Sequence, residues 1–353
     1  MSWTIGEKLK VTVFGQSHSE AIGVVIDGFP SGIKINEEKL EKFMQRRAPG
    51  QAFSTPRKEA DKVEFLSGLN LDGKTCGSPI VAIIKNTNVQ SKDYDNIKLL
   101  PRPSHSDLVS FLKFGEGRDI RGGGQFSGRL TAPLCIAGAL CLDLLESKGI
   151  KIGAHIYNVG NSFDLPYDKV EQNIPTNQAD FPAIDKEKSI KMQEEILSVM
   201  KEGDSIGASV ECKIVGLPSA IGEPMFDGIE NCLAKAMFGI PAVKGFEVGS
   251  GFEVCTKKGS ENNDKLTIKD GKITTLTNND GGINGGITNG MPITFRVAIK
   301  PTPSIAKAQQ SVNLETMQEQ VLEIRGRHDP CIAVRAVPVV EAVSAIVFAD
   351  LLM

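Results

Sequence analysis

Three short segments of this chain recur, in the same order, in its second half, and that repetition constrains the fold more than any single motif. Ile26-Asp27-Gly28-Phe29-Pro30-Ser31-Gly32-Ile33 is matched by Ile214-Val215-Gly216-Leu217-Pro218-Ser219-Ala220-Ile221. Thr75-Cys76-Gly77-Ser78-Pro79-Ile80, followed by VAIIKNT, is matched by Thr288-Asn289-Gly290-Met291-Pro292-Ile293, followed by TFRVAIKPT. Residues 129–145 (RLTAPLCIAGALCLDLL) are matched by 335–352 (RAVPVVEAVSAIVFADLL), where an arginine and a proline again lead into an apolar run. One such match is compatible with chance, but three in one order are not. We read an ancient duplication, roughly residues 1–150 and 200–353, with a polar linker or insert at 160–200. The period far exceeds the 20–50 residues of solenoid repeats, so the halves are expected to pack about a pseudo-two-fold axis.

Each half is expected to run strand, Gly-Pro turn, amphipathic helix, further strands, loop and buried helix. Apolar spacing places the amphipathic helices at Glu37–Arg47 and 227–238. Residues 131–145 and 335–352 are apolar nearly all round, the pattern of helices buried on every side. Lys151–Val159 alternates as a strand, 185–201 reads as an exposed helix, and the polar stretch 261–279, with Asp270-Gly271 inside it, reads as a hairpin. Segments 46–60 and 86–124 show no periodicity and read as long functional loops.

Two glycine clusters suggest a bound anion. Asn279-Asp280-Gly281-Gly282-Ile283-Asn284-Gly285-Gly286-Ile287 precedes a strand-like run ending in Ile299-Lys300-Pro301-Thr302-Pro303-Ser304-Ile305. Backbone without Cβ atoms can approach a phosphate or a flat ring, and its successive N–H groups form an anion-binding concavity. Lys300 and the hydroxyls after it add a charge and hydrogen bonds. A pair of tight turns between strands is the plain alternative. The second cluster, Arg121-Gly122-Gly123-Gly124-Gln125-Phe126-Ser127-Gly128-Arg129, leads into the first buried helix, whose N-terminus favours anions. Neither cluster has the spacing of a P-loop or of a dinucleotide-binding turn.

The formal net charge of −3 leaves no global basic field for nucleic acid, so anion binding must come from local arginines. No uninterrupted apolar run reaches the ~18 residues of a membrane span. Seven cysteines without Cys-x-x-Cys spacing argue for a reducing compartment and against a metal site. The expectation is a cytoplasmic protein with neither nucleic acid nor membrane as partner.

Four histidines are present, and His18 and His105 share similar short contexts, Gln16-Ser17-His18-Ser19 and Pro103-Ser104-His105-Ser106-Asp107. Imidazole is the side chain best matched to proton transfer near neutral pH, which makes these two the acid–base candidates. Loop histidines hydrogen-bonded for structure are the alternative, and His155, inside an alternating strand, reads as structural. Arg325-Gly326-Arg327-His328-Asp329-Pro330-Cys331 sets Asp329 beside arginines, as an ionised base or anchor, or else as part of a salt-bridged corner. Arg46 and Arg47 end the first amphipathic helix just before Pro49-Gly50, either as a solvated helix end or presented to carboxylates and phosphates.

Taken jointly, these segments resemble the chorismate synthase family from Ile5 to Leu351. The family's Gly-acid-Ser-His opening is similar to Gly15-Gln16-Ser17-His18, and its Asp-Gly-x-Pro to Asp27-Gly28-Phe29-Pro30. Its Arg-Arg-x-Pro-Gly, Pro-Arg-Pro-x-His, Arg-Gly-Gly-Gly, Gly-Gly-Ile-x-Gly-Gly-Ile, Lys-Pro-Thr-x-Ser and Gly-Arg-His-Asp-Pro-Cys segments follow in order. Gln16 stands where the family often has glutamate, Ser19 where glycine is usual, Phe53 where many members carry a basic residue, and Gln125-Phe126-Ser127-Gly128 replaces a common Arg-Ser-Ser-Ala.

The resemblance implies a carbon–oxygen lyase that converts 5-enolpyruvylshikimate 3-phosphate into chorismate by trans-1,4-elimination of phosphate. Such enzymes need reduced FMN but show no net redox change. By the same resemblance His18 is the acid for phosphate loss, His105 protonates or hydrogen-bonds the anionic reduced flavin, and Asp329 is positioned to relay the C6 proton that leaves via flavin N5. Gln125, Phe126, Ser127, Pro241, Ala242, Gly285, Lys300, Pro301, Thr302, Pro303, Ser304 and Arg327 are carried over as FMN-binding, and Arg46, Arg47 and Arg129 as binding substrate or NADP. NADPH is a possible reductant, with an external flavin reductase as the other route. A homotetramer is implied. So is an α/β fold of α+β type, a single large β-α-β sandwich-like domain over residues 1–353 with helices packed between antiparallel sheets. Two other readings of the same residues stay open at this level: a phosphate lyase or transferase without flavin, and an anion-responsive binding protein.

Overall fold

The computed structural model describes residues 3–50, 53, 61–86, 98–170, 181–324 and 329–353. Strands β1 (Thr4–Ile5), β2 (Lys10–Gly15), β3 (Ala21–Asp27), β4 (Glu64–Ser67) and β5 (Ile80–Lys85) form an antiparallel sheet in the order β1-β2-β3-β5-β4. A second antiparallel sheet uses β6 (Lys151–Val159), β7 (Ser162–Phe163), β8 (Ala208–Val215), β9 (Val243–Val248) and, further along, Ile293–Ile299. Between β9 and that last strand lie two hairpins, β10 (Leu266–Lys269) with β11 (Lys272–Thr275) and β12 (Ile283–Asn284) with β13 (Ile287–Thr288). Ile293–Ile299 is therefore β14, the second sheet runs β7-β6-β8-β14-β9, and a last hairpin pairs β15 (Gln309–Val312) with β16 (Glu319–Leu322).

The core order β2-β3-β5-β4 of the first sheet is repeated as β6-β8-β14-β9 in the second. The second pattern opens at Lys151, so β7 and the helix at Lys186–Lys201 fall between two of its strands, β6 and β8. Strand residues such as Val and Ile are interchangeable, so β2 and β6 share no readable motif, and the sequence match became visible only from β8 onward. The inserted segment carries α4 (Lys186–Lys201), capped by the Asp185 side chain, which accepts from the backbone N–H of Glu187 and Lys188.

Helices α1 (Glu37–Arg47), α3 (Thr131–Ser147), α5 (Ile229–Phe238) and α7 (Ala333–Leu351) fill the space between the sheets. α3 packs on β2, β3 and β5, α7 packs on β6 and β8, and the two lie against each other. A Cβ on Gly138 would fall 2.2 Å from Ala342 Cβ, so glycine is what lets them approach. The fold is thus the expected α+β sandwich. Val337, Val340, Ile346 and Phe348 of α7 are all but fully buried, each contributing about 1.5–3 kcal/mol of transfer free energy. Gly128–Ser147 is long and apolar enough to cross a membrane, yet two thirds of that window is buried inside the protein, as a core helix requires.

In α1 the buried residues are Leu40, Phe43, Met44 and Arg47, a helical stripe on which a guanidinium takes the place of an apolar side chain. Asp270 and Gly271 both have positive φ, 51° and 71°, as a two-residue type I′ hairpin turn requires. One correction in local structure is α2 (Asp107–Phe114), two helical turns within a segment expected to be loop. Its Leu108, Val109 and Leu112 are exposed, so no buried apolar face announced it. A further single turn, α6 (Gly259–Asn262), precedes the first hairpin.

Candidate active site

The loop Arg121-Gly122-Gly123-Gly124 sits between the two candidate histidines. Gly122, Gly123 and Gly124 have φ of 61°, 84° and 53°, conformations that side chains disfavour. A Cβ on Gly122 would fall 2.3 Å from His18 Cε1 and 2.5 Å from Ser17 Oγ, and one on Gly123 would reach His105 Cε1 at 3.5 Å. The Ser17 N–H donates to Gly124 O at 3.1 Å, which ties the His18 turn to the loop. Asp119 at the loop's foot is held below the usual carboxylate range by hydrogen bonds from Arg121, with His18 a lesser contributor.

His105 leads into α2 next to Arg102. Arg102 is buried and donates from NH1 to Ser304 Oγ at 3.0 Å, which joins this loop to the segment after β14. Lys300 donates from its backbone N to Ala242 O at 3.0 Å and from Nζ to Ser104 O. Ala242 and Ser104 are non-glycine residues with φ of 72° and 58°. Such backbone costs about 1–3 kcal/mol per residue and concentrates at ligand clamps. Burial, and then Lys244 nearby, push the Lys300 ammonium below its usual value. No carboxylate pairs with Lys300 among the described residues. Thr302 Oγ1 is buried without a hydrogen-bond partner among the described residues, while the Thr302 carbonyl accepts from Ser205 Oγ at 2.7 Å.

An arginine cluster completes the arrangement. Arg47, almost fully buried, donates to Thr131 Oγ1 (3.1 Å), Asp61 Oδ2 (3.3 Å) and Gly128 O (2.8 Å). Burial, and then Arg335 and Arg129, lower its pKa to about 10 against the pull of Asp61. Arg129 pairs with Asp61 Oδ1 and donates to Asn86 Oδ1 at 3.3 Å. Arg335 donates to Arg47 O (3.1 Å) and pairs with Asp329 Oδ2 (2.8 Å). Three guanidiniums thus meet two carboxylates.

These contacts close on themselves. From Arg129 they run through Asn86, which donates to Ser19 O at 2.8 Å, to the His18 turn and the glycine loop; His105 lies beside that loop and leads on to Arg102 and Ser304. They continue from Thr302 to Ser205, from Ile206 N to Pro330 O at 2.9 Å, and from Asp329 through Arg335 and Arg47 back to Asp61 and Arg129. His18, His105, Ser127, Arg47, Arg129, Ala242, the 300–304 segment and Asp329 all lie on this circuit or next to it. Gln125 and Phe126 follow the glycine loop, with Phe126 tilted against Phe114 of α2 at 6.3 Å. Pro241 precedes Ala242 at the surface. Arg325, Arg327 and His328 lie outside the described residues, as do most of 46–60 and the start of 86–124.

Two expected site residues lie elsewhere. Arg46 is held by a bidentate pair with Glu341 of α7, at 2.7 and 2.9 Å, and Glu341 also accepts from Ala154 N. Adjacent helical residues point about 100° apart, so Arg47 enters the cluster while Arg46 braces α1 against α7. Gly285 is in the β12–β13 turn, before β14, whereas Lys300 follows it. The seven residues of β14, at about 3.3 Å each, lie between them.

Arg102, Asp61, Asn86, Asp107 and Arg335 were not singled out by sequence. Arg102 stood inside the Pro-Arg-Pro-x-His motif and was legible there. Asp61 lies in a patternless stretch, and Arg335 carries in the sequence only the signal of a buried helix's start.

A family model described as chorismate synthase matches residues 9–353. The chain is similar to chorismate synthase of Methanobrevibacter smithii, 47% identical over 353 residues, covering 99% of this chain and 96% of that protein. It is 45% identical over 348 residues to that of Methanosarcina mazei, covering 98% and 94%. A solved structure titled as the crystal structure of chorismate synthase superposes with a TM-score of 0.76 at 28% identity, covering 98% of this chain and 92% of the other.

Proposed function

Since the chain belongs to the chorismate synthase family and is a chorismate-forming enzyme of the shikimate pathway, we propose that this circuit carries the trans-1,4-elimination of phosphate from 5-enolpyruvylshikimate 3-phosphate with reduced FMN. The observation that carries the reading is the closure itself. Two histidines flank one glycine loop, and hydrogen bonds tie the segments that carry them to the lysine–hydroxyl segment of the second half and, through Asn86, to the arginine–aspartate cluster.

The residues fit a flavin phosphate. A buried Thr302 hydroxyl and a Lys300 ammonium that find no hydrogen-bond partner and no carboxylate, respectively, among the described residues, with backbone stripped of Cβ atoms at Gly123, are the donor set and clearance such a group needs. Ser127, Ala242, Lys300, Thr302 and Ser304 would hold it. Bound in reduced form, it supplies electron density to the substrate as phosphate departs.

The protein's own groups do the rest. His18, buried against Gly122, gives a proton to the departing phosphate. Arg47, Arg129 and Arg335 offset the charge of a substrate bearing one phosphate and two carboxylates, and Asp61 and Asp329 fix their planes. Asp329 would relay the C6 proton after it has left the substrate. Arg47 and Arg129 could also receive NADPH as reductant, the alternative being flavin reduced by an external reductase. The unpaired cysteines fit a cytoplasmic enzyme. The isolated β10–β11 hairpin, with Leu266, Ile268 and Ile273 exposed, needs cover in the assembly, as a homotetramer would provide; a solution mass of one chain would contradict that.

Flavin titration tests the site. One FMN per chain is expected. Lys300→Ala, which loses a charged contact worth about 1.5–3 kcal/mol, should weaken binding by one to two orders of magnitude. Lys85, its counterpart at the end of β5, pairs with Glu64 at 2.9 Å at the sheet edge, so Lys85→Ala should bind flavin almost normally. Two flavins per chain, or equal losses from both changes, would overturn the assignment.

A further inference from the structure

We propose that Asp107, held in place by Arg102, is the positioning residue that keeps the neutral His105 ring protonated on Nδ1 and so leaves the Nε2 lone pair toward the glycine loop. His105 Nδ1 lies 2.6 Å from Asp107 Oδ1. The same oxygen accepts from Arg102 NH2 at 2.9 Å, while Oδ2 accepts from Arg102 Nε at 2.7 Å and from the Arg102 backbone N–H at 3.1 Å. Four donors therefore converge on one carboxylate. Burial alone would push its pKa up, but the Arg102 and His105 hydrogen bonds hold it well below the usual range, so it is an acceptor only.

Arg102 NH2 also lies 3.1 Å from His105 Nδ1, and a guanidinium can only donate. Were Nδ1 to accept that bond, its lone pair would face a carboxylate oxygen at 2.6 Å. The shorter contact decides: Nδ1 carries the hydrogen and gives it to Asp107. On the other side of the ring, a Cβ at Gly123 would stand only 3.7 Å from Nε2, so the missing side chain keeps that nitrogen accessible. Arg102 reaches Ser304 from the same guanidinium, which couples the ring's orientation to the 300–304 segment. An aspartate behind a catalytic histidine fixes tautomer and orientation in this way in other enzymes.

The test is ring ¹⁵N NMR on the flavin-free protein at a pH where imidazole is neutral, with the His105 signals assigned by their loss in His105→Gln. The wild type is expected to show Nδ1–H and a bare Nε2. In Asp107→Asn the amide oxygen should stay on Arg102 Nε and the backbone N–H, two donors that cannot change. The amide NH₂ then faces Nδ1, and the proton should move to Nε2. A wild-type ring protonated on Nε2, or one unchanged by Asp107→Asn, would overturn the proposal. The wild-type measurement stands even if the variant folds poorly. The further consequence rests on the flavin reading: Asp107→Asn should lower kcat by about 10²–10⁴ with little change in substrate KM. A flipped tautomer with undiminished kcat would support the positioning role and overturn the part assigned to His105 in the reaction.

Discussion

Alanine at His18 or at His105 is expected to lower turnover by about 10²–10⁴, the range for a positioned proton-transfer group, with folding stability little changed. Both rings sit in loops at the glycine turn rather than in the apolar layer between the sheets. Removing His18 leaves a space bounded by Gly122, not a hole in the core. The two losses should differ in kind. With His18→Ala, phosphate release in a single turnover should slow while flavin affinity holds; with His105→Ala, flavin affinity and spectrum should shift as well. Single-turnover kinetics and flavin titration on each variant distinguish these, and full activity in either would remove that histidine from the mechanism.

His155→Ala should do the reverse. His155 is buried in β6 with Nδ1 3.1 Å from Asp164 Oδ2 and Nε2 3.0 Å from Glu211 Oε2. With a carboxylate at each ring nitrogen, both nitrogens donate, and the ring is an imidazolium. Lys213 and Tyr167 also face this group, Lys213 Nζ donating to Tyr167 O. Removing the ring leaves two buried carboxylates without their cation, a change that costs about 3–5 kcal/mol. The lower end is expected, because Asp164 keeps the N–H groups of Ile184 and Asp185, and Glu211 keeps that of Tyr167. Burial alone would lower the imidazole's pKa, but the hydrogen bonds to Asp164 and Glu211 outweigh it and raise it. The stabilisation is therefore fully present below the unfolded value of about 6.5 and is lost as pH rises through the folded value. Urea unfolding across that range should show the wild type losing stability with rising pH and His155→Ala lacking that component. Catalysis per folded molecule should be largely intact, and a loss as deep as that of His18→Ala at unchanged stability would contradict the division between structural and chemical histidines.

Much of this architecture was legible because the chain states it twice. The Gly-Pro turns, the stripe of α1 and the all-apolar α3 and α7 each carry a pattern that local physics dictates. β6 was read as a strand but not as the opening of the second half, since its partner β8 lies beyond an insertion that no periodicity could bridge. The site was legible by residue type more than by position. Neighbours in sequence such as Arg46 and Arg47 diverge on a helix, and Gly285 and Lys300, close in sequence, are separated by the length of β14. Asp61, Asn86 and Arg335 are brought in by tertiary packing alone. They are ordinary polar residues until the sheets close over the helices.

The most direct measurement is chorismate formation under strict anaerobiosis from 5-enolpyruvylshikimate 3-phosphate, with and without chemically reduced FMN. Product should appear only with the reduced flavin, with no net flavin oxidation and with no NADPH consumed in step with turnover. Equal rates without flavin would contradict the account at its centre.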